Sequence, residues 1–553
     1  MSRYPALILL LLTLGPPLAA DVRLAALFTD NMVLQREMPV PIWGGADAGE
    51  RVTVRFGSQE KRTIADANGK WKVVLDPLQV GPAQTLKVTG KNVIELTNVV
   101  VGEVWICGGQ SGMEVGFGFV PNQKEELAAA NIPGLRLFQI DAREALQPRT
   151  DLVPMMVLFN DYRDKQAPKP RTATDASWLP STSRSVIRGG WSGFTAQGYY
   201  FGLELHRALG VPVGLINACS GGTCIGVWLP RPVLEAEPLY KTYLEEWRPR
   251  QKEFEQDAAN YETAMAAWRR DVEKAEADGK TPQRKPAYPN KSHWYPANRY
   301  NGMIAPLIPL AFRGVIWDQG FSDRNVAQEY KTYFPLLIRT WRKLWNEGDF
   351  PFYFLHYQNQ HSTANKAKAD RWLAAPEELE PDVRQPLAEM REAQLSGLKE
   401  PKTGMIVAID LSKDGAGHFP DKHPVGLRWA NLAMAETYGR KGMIVRSPIY
   451  QSMSVEGDKI RLRFTDIGDK LVVHGGAPLK WFLIAGADRV FVNADAKLDG
   501  NTVVVWSSKV PAPKAVRYIW ADNPNPATIT LYNQAGLPVA PFRTDDWPFD
   551  SRP

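Results

Sequence analysis

Cysteine is scarce: only Cys107, Cys219 and Cys224 occur in 553 residues. That is too few for a disulfide-framed scaffold, and their spacing makes no zinc site. Cys219 and Cys224 either pair across the loop "CSGGTC" or, like Cys107, stay as buried thiols that act as small hydrophobes. An excess of one charge is also missing, since 66 Lys and Arg against 60 Asp and Glu leave a formal +6. No basic block interleaved with aromatics is present, so nucleic acid is not the expected partner. Beyond residue 20 no apolar run is long enough to span a bilayer, so no membrane anchor is expected. Histidine is rare too, with seven in all, which keeps the pool of candidate bases small.

What is present divides the chain into unlike parts. Arg3, the apolar run "ALILLLLTL" and the small residues "PLAA" ending at Ala20 have the form of a cleavable secretory leader, residues 1–20. The expected location is therefore the periplasm or the outside. Residues 21–97 read as a small β domain, because "RVTVRFG" and "WKVVLDP" alternate apolar and polar positions between turn residues. Residues 443–553 repeat that style in "KIRLRFTD", "WFLIAG", "TVVVWS" and "AVRYIWAD". The sequence predicts β-sandwich regions at both ends.

The middle differs. "EVWIC", "PVGLINA", "GVIWDQ", "FYFLHY" and "MIVAID" are short, almost unbroken apolar runs, which suit strands covered on both faces. Helical stretches such as 196–209 and 334–345 lie between them. This order predicts an α/β domain with an open, largely parallel sheet, in two parts, 98–230 and 299–442. The intervening 231–298 is charged and helical. Phe254, Ala258, Tyr261, Met265, Trp268 and Val272 mark one helix face, and a helical hairpin with that face as its packing seam is expected.

In open α/β sheets, ligands bind beyond the carboxyl ends of the strands. After "EVWIC" comes Ser111. After "PVGLINA" come Gly221 and Gly222, after "GVIWDQ" comes "GFSDRN", and after "MIVAID" comes a loop with His418. A hydroxyl, amide donors and an imidazole thus share one edge. Acyl transfer needs that set: a base to deprotonate the serine, and N–H groups to hold the oxyanion. His206, His293 and His474 fall in a helix, the insertion and the C-terminal region, where structural roles are expected. His356 ends its strand and is a candidate substrate contact, with His361 in the same loop. Gln110 and Gln319 are candidates for positioning loops or substrate. Eighteen tryptophans suit sugar stacking, but at 10% aromatics most belong to the core.

These segments resemble the sialate O-acetylesterases of the SGNH hydrolase superfamily. The likeness runs through "FTDNMVLQREMPVPIWGGA", "VVGEVWICGGQSGME", "GVPVGLINACSGGTCIGVW", "RYNGMIAPLIPLAFRGVIWDQG", "HFPDKHPVGLRWA", "AVRYIWADNP" and "LPVAPFRTD", in order over nearly the whole mature chain. The resemblance implies an SGNH-type, flavodoxin-like three-layer fold and a serine esterase that removes O-acetyl groups from sugars, with no metal or organic cofactor. It places the nucleophile at Ser111, an oxyanion donor at Gly221 or Gly222 beside the Ser111 N–H, and the catalytic histidine at His418. His423 in "DKHP" is the rival, but "PDKHPVG" aligns with the segment that follows the family's histidine, which selects His418.

The departures are specific. The family's G-Q-S-N-M is here "GQSGM", with Gly112 for Asn. Its G-E-S-N is "GFSD", with Asp323 for an Asn. A carboxylate cannot donate to an oxyanion, so Asn325 is the candidate replacement and Arg324 a candidate neutraliser of Asp323. The family's acid two residues before the histidine is Ala416, which leaves Asp414 to orient His418, with Asp410 further back. The expected substrate is an acetylated sugar or glycan. Sialic acid is the family's substrate, acetylated xylan or another polysaccharide is the alternative, and a non-hydrolysing glycan-binding protein is the rival from another class. Oligomeric state is not legible in the sequence.

Overall fold

The computed structural model describes residues 21–140, 144–153, 157–158, 172–173, 177–189, 191–278, 280, 283, 286, 294–359, 384–411, 418–419, 421–476 and 478–548. The leader, His293, His361, Asp414 and Ala416 lie outside them.

Six strands form the centre: β1 (Val93–Gly109), β2 (Ile132–Gln139), β3 (Val213–Cys219), β4 (Gly314–Asp318), β5 (Phe352–His356) and β6 (Thr403–Val407). They pair in parallel in the order β2-β3-β1-β4-β5-β6, and the short strand Leu179–Ser181 is antiparallel at the β2 edge. Every residue of β3, β4, β5 and β6 is buried, as their unbroken apolar sequences require.

Five helices matter for the site: α1 (Ala196–Leu209), α2 (Gln251–Ala277), α3 (Ala327–Trp345), α4 (Pro386–Gln394) and α5 (His423–Glu436). Side chains alternate across a strand, so each central strand feeds two cores. Trp105, Cys107, Leu215, Ile316 and Tyr353 pack with Phe201 of α1 and Trp429 of α5. Ile106, Val315, Trp317 and Phe352 pack with Leu337 and Trp341 of α3 and Met390 of α4. The sheet is thus covered on both faces. The helix at 196–209 matches its expected bounds, with Thr195 Oγ1 accepting from the Gly198 N–H at 3.2 Å. The expected helix at 334–345 begins earlier, at Ala327.

The N-terminal strands are bound to this sheet rather than set apart from it. β1 spans 17 residues. Its first part pairs with Gln84–Thr89, its middle with Val33–Gln35, and its last part with β3 and β4. The boundary expected at residue 97 therefore falls inside one continuous strand. Glu103 braces the junction: fully buried, it accepts from Gln35 at 3.0 Å and Arg313 at 2.8 Å, and also from Arg36. Toward the C-terminus, antiparallel sheets hold Ile449–Glu456, Lys459–Thr465, Asp495–Asp499 and Thr502–Trp506, and Phe482–Ala485 with its neighbours. Arg391 of α4 donates to the carbonyls of Ala521 (2.6 Å) and Asp522 (2.7 Å), fastening that region to the sheet domain.

The insertion departs from the hairpin expectation. It is one 27-residue helix, α2, after two shorter ones at Arg231–Ala236 and Lys241–Trp247, and no second long helix occurs among its described residues. The expected face is the packed one: Phe254, Ala258, Met265, Trp268 and Val272 are all buried. Cys219 and Cys224 are separate thiols, buried like Cys107. Cys219 donates to Asn217 Oδ1 at 2.8 Å and Cys224 faces the Tyr243 hydroxyl at 3.6 Å. Among the described residues no helix is long and apolar enough to cross a membrane.

Candidate active site

β1 ends at Gly109, and the chain turns at once. The Gln110 N–H donates to the Asp318 carbonyl at the end of β4 at 2.8 Å, and Ser111 opens a single helical turn, Ser111–Glu114. Ser111 is half-buried, and its N–H belongs to the first turn, where amides have no intrahelical acceptor. Gln110 itself is buried. With its amide oriented to satisfy both ends, it donates to Ser322 Oγ (3.1 Å) and the Thr223 carbonyl (3.0 Å) and accepts from the Phe321 N–H (3.1 Å). One side chain therefore fixes the serine turn to the loops after β3 and β4. It is a loop brace within the core and not an open substrate contact.

The glycine after the serine has a packing reason. A Cβ on Gly112 would lie 2.1 Å from Asp318 Oδ2. The Asp318 carboxylate fills the space beneath the turn and accepts from Gln197 Nε2 of α1 at 2.8 Å. Burial raises its pKa, and Lys422 and Gln197 oppose that shift. Lys422 is itself fully buried, over the Phe419 ring at 4.2 Å, and its Nζ has no hydrogen-bond acceptor among the described residues. Burial pushes that ammonium down to about 8, while Asp318 pulls it up.

Glu114, three residues after the serine, is also buried. Its Oε2 accepts from the Gly221 N–H at 2.5 Å. Gly221 in turn sits against the nucleophile candidate, since a Cβ built on it would lie 3.3 Å from Ser111 Cβ. His418 is half-buried, with its ring 5.1 Å from that of Trp191. Burial lowers its pKa, the Lys422 charge lowers it further, and Glu114 raises it. A neutral imidazole at ordinary pH follows, as a general base requires. Glu114 is the link between Ser111 and His418, in the helical turn that Ser111 opens and within electrostatic reach of the imidazole, and among the described residues no direct hydrogen bond joins Ser111 to His418. Chemically the group offers a hydroxyl, a neutral base and amide donors at one sheet edge.

The chain aligns with curated proteins and one solved structure along most of its length. It is 26% identical over 457 residues to the sialate O-acetylesterase of Rattus norvegicus, covering 77% of this chain and 76% of that protein. It is 27% identical over 471 residues to the human sialate O-acetylesterase, covering 80% and 76%. A crystal structure of a carbohydrate acetylesterase from Xanthomonas citri superposes with a TM-score of 0.74 at 30% identity, over 95% of this chain and all of that one. No family model matches the chain. The chain belongs to the sialate O-acetylesterase family. It is thus a carboxylic ester hydrolase.

Against the sialate O-acetylesterase pattern, the remaining candidates fall in distinct places. Asp323 is buried, accepting from the Ile225 N–H at 2.9 Å and Gln319 Nε2 at 2.5 Å, and burial raises its pKa to about 7. It anchors the turn Ile225–Trp228. Gln319 also accepts from the Tyr330 hydroxyl at 2.7 Å, so it too is a buried brace. Arg324 stacks over Phe321 at 4.0 Å, away from a neutralising role at Asp323. Asn325 is exposed and presents its carbonyl to Arg384 at 3.5 Å. His356 is fully buried, its Nε2 against the Arg391 carbonyl at 3.1 Å, and burial lowers its pKa to about 3. This neutral core imidazole lies out of a substrate's reach.

Asp410 is engaged by the Arg428 guanidinium at 2.8 and 2.7 Å. His423 faces Glu204 at 3.2 Å and its ring lies tilted against that of Tyr200, on the helix pair α1 and α5. Gly222 is exposed in the left-handed region at φ 71°. Glu114, Trp191, Asp318 and Lys422 were not singled out as site residues by sequence. Only Glu114 carried a signal, its place in the motif directly after the serine.

Proposed function

We propose that the protein is an exported serine esterase that removes O-acetyl groups from sugars. Ser111 Oγ attacks the acetyl carbonyl while His418 takes its proton. The imidazole then protonates the sugar oxygen as the ester bond breaks, leaving acetyl on Ser111. Water, deprotonated by His418, releases acetate by the reverse route. The Ser111 and Gly222 N–H groups hold the oxyanion, because the Gly221 N–H is directed at Glu114. Asp414 orients His418, a role for which Asp410 is unsuited because Arg428 holds it.

The observation that supports this reading is the placement of Gly221 against Ser111, with its N–H bonded to Glu114 and the Glu114 charge reaching the His418 ring, in a chain of this family. The central order also supports it: set aside the edge strand β2, and the rest follow the 2-1-3-4-5 sequence of flavodoxin-like folds, the layout of an SGNH hydrolase. Export rests on the leader form of residues 1–20. The binding-only alternative rested on Gly112, Asp323 and Ala416. Packing against Asp318 accounts for the first, and hydrogen bonding to Ile225 and Gln319 for the second.

The test is acetate release from O-acetylated sialic acid and acetylated xylan by wild type and Ser111→Ala. Release from one or both, abolished in the variant, is expected, and the preferred sugar names the substrate. Equal release by both proteins would overturn the mechanism.

A further inference from the structure

Trp191 is 44% exposed, and its indole stands edge-on to the His418 imidazole, with centroids 5.1 Å apart and planes at 81°. On its other side it meets Phe119 at 5.5 Å. Its backbone is bound directly to the segment that follows the serine turn. The Gly116 N–H donates to the Trp191 carbonyl at 3.0 Å, and the Gly118 N–H to the Ser192 carbonyl at 2.7 Å. Any side chain at Gly116 would prevent this, since a Cβ there lies 2.6 Å from the Trp191 carbonyl oxygen. The sequence "EVGFGF" thus brings an exposed indole to a fixed position at the site.

That position has a chemical meaning, on the serine esterase reading above. When the Ser111 Oγ–carbon bond forms and the carbon–oxygen bond to the sugar breaks, the proton passes from Ser111 through His418 to the sugar oxygen. The leaving sugar must therefore lie on the imidazole side of the serine, which is where Trp191 is. A pyranose ring has an apolar C–H face, and a tryptophan ring offers a broad, electron-rich partner for it. We propose that Trp191 is the platform on which the sugar ring of the substrate stacks. It is a specificity-determining residue that favours acetylated saccharides over acetates of small alcohols.

The experiment compares wild type, Trp191→Ala and Trp191→Phe on an acetylated sugar and on ethyl acetate, with Ser111→Ala as the control for the underlying mechanism. The ratio of the two kcat/KM values should fall about tenfold in Trp191→Ala, chiefly through KM for the sugar, as loss of one aromatic stacking contact implies. Trp191→Phe, which keeps an aromatic face, should recover much of it. An unchanged ratio, whether both substrates suffer equally or neither does, would overturn the proposal. If Ser111→Ala retains full activity, the serine reading itself fails instead.

Discussion

Replacing Lys422 by methionine removes the cation that opposes the buried Asp318 carboxylate beneath the serine turn. The lysine is itself costly to bury. Its pKa falls to about 8 from an ordinary value near 10.4, a penalty of about 3 kcal/mol at 1.36 kcal/mol per unit. The native state binds fewer protons than the unfolded chain between those values, so this group makes stability rise with pH across that window. Deleting the ammonium abolishes that rise and lifts that penalty, but leaves the Asp318 carboxylate in the interior without the charge that opposes it across space, a loss bounded by the about 3–5 kcal/mol of a broken buried pair. Set against the burial penalty that the substitution lifts, this leaves Lys422→Met less stable by about 1 kcal/mol in urea unfolding at pH 7. Asp318→Asn, which can still accept from Gln197, should remove most of that loss when added to it. The same double variant should carry the acidic limb of its kcat/KM profile to higher pH, because Lys422 lowers the His418 pKa while Glu114 on the serine turn raises it. If the two substitutions instead destabilise additively, Asp318 and Lys422 are not a couple and the reasoning fails.

Two further outcomes follow from the same packing. Gly112→Asn, although it restores the family's residue, should cost about 1–3 kcal/mol by overpacking against Asp318 Oδ2; unfolding midpoints that show no loss would refute the steric account. Asp323 holds its proton more tightly in the native state, up to about pH 7, so wild-type stability falls as pH rises from the ordinary carboxylate range to 7. Asp323→Asn should flatten that fall, and parallel stability curves at pH 4.5 and 7.5 would contradict it.

The central sheet was legible because β3 to β6 are buried on both faces, and burial of that kind leaves no alternation to misread. β2 was not, since Pro133 and Gly134 look like a strand break. The strand accepts them at its exposed start, where Gly134 gives room to the His206 ring. The parts of the site that follow a strand in sequence, Ser111 and the loop of Gly221, could be placed from order alone. Those that depend on contact across the fold could not. Asp318 reads as the end of an apolar run, Lys422 as an ordinary charge before a helix, and Trp191 as one of many tryptophans. His356 shows the converse: a strand's last residue points to either face, and here it turns into the core. The continuous strand through residue 97 was hidden because the change from alternating to solid burial occurs within it, with no linker composition to mark the join.

The most direct measurement of the central claim is chemical labelling. A fluorophosphonate incubated with the protein, followed by peptide mass spectrometry, should place a single adduct on Ser111, with labelling slowed about 100-fold or more in His418→Ala. An adduct on another residue, or an undiminished rate without His418, would contradict the account.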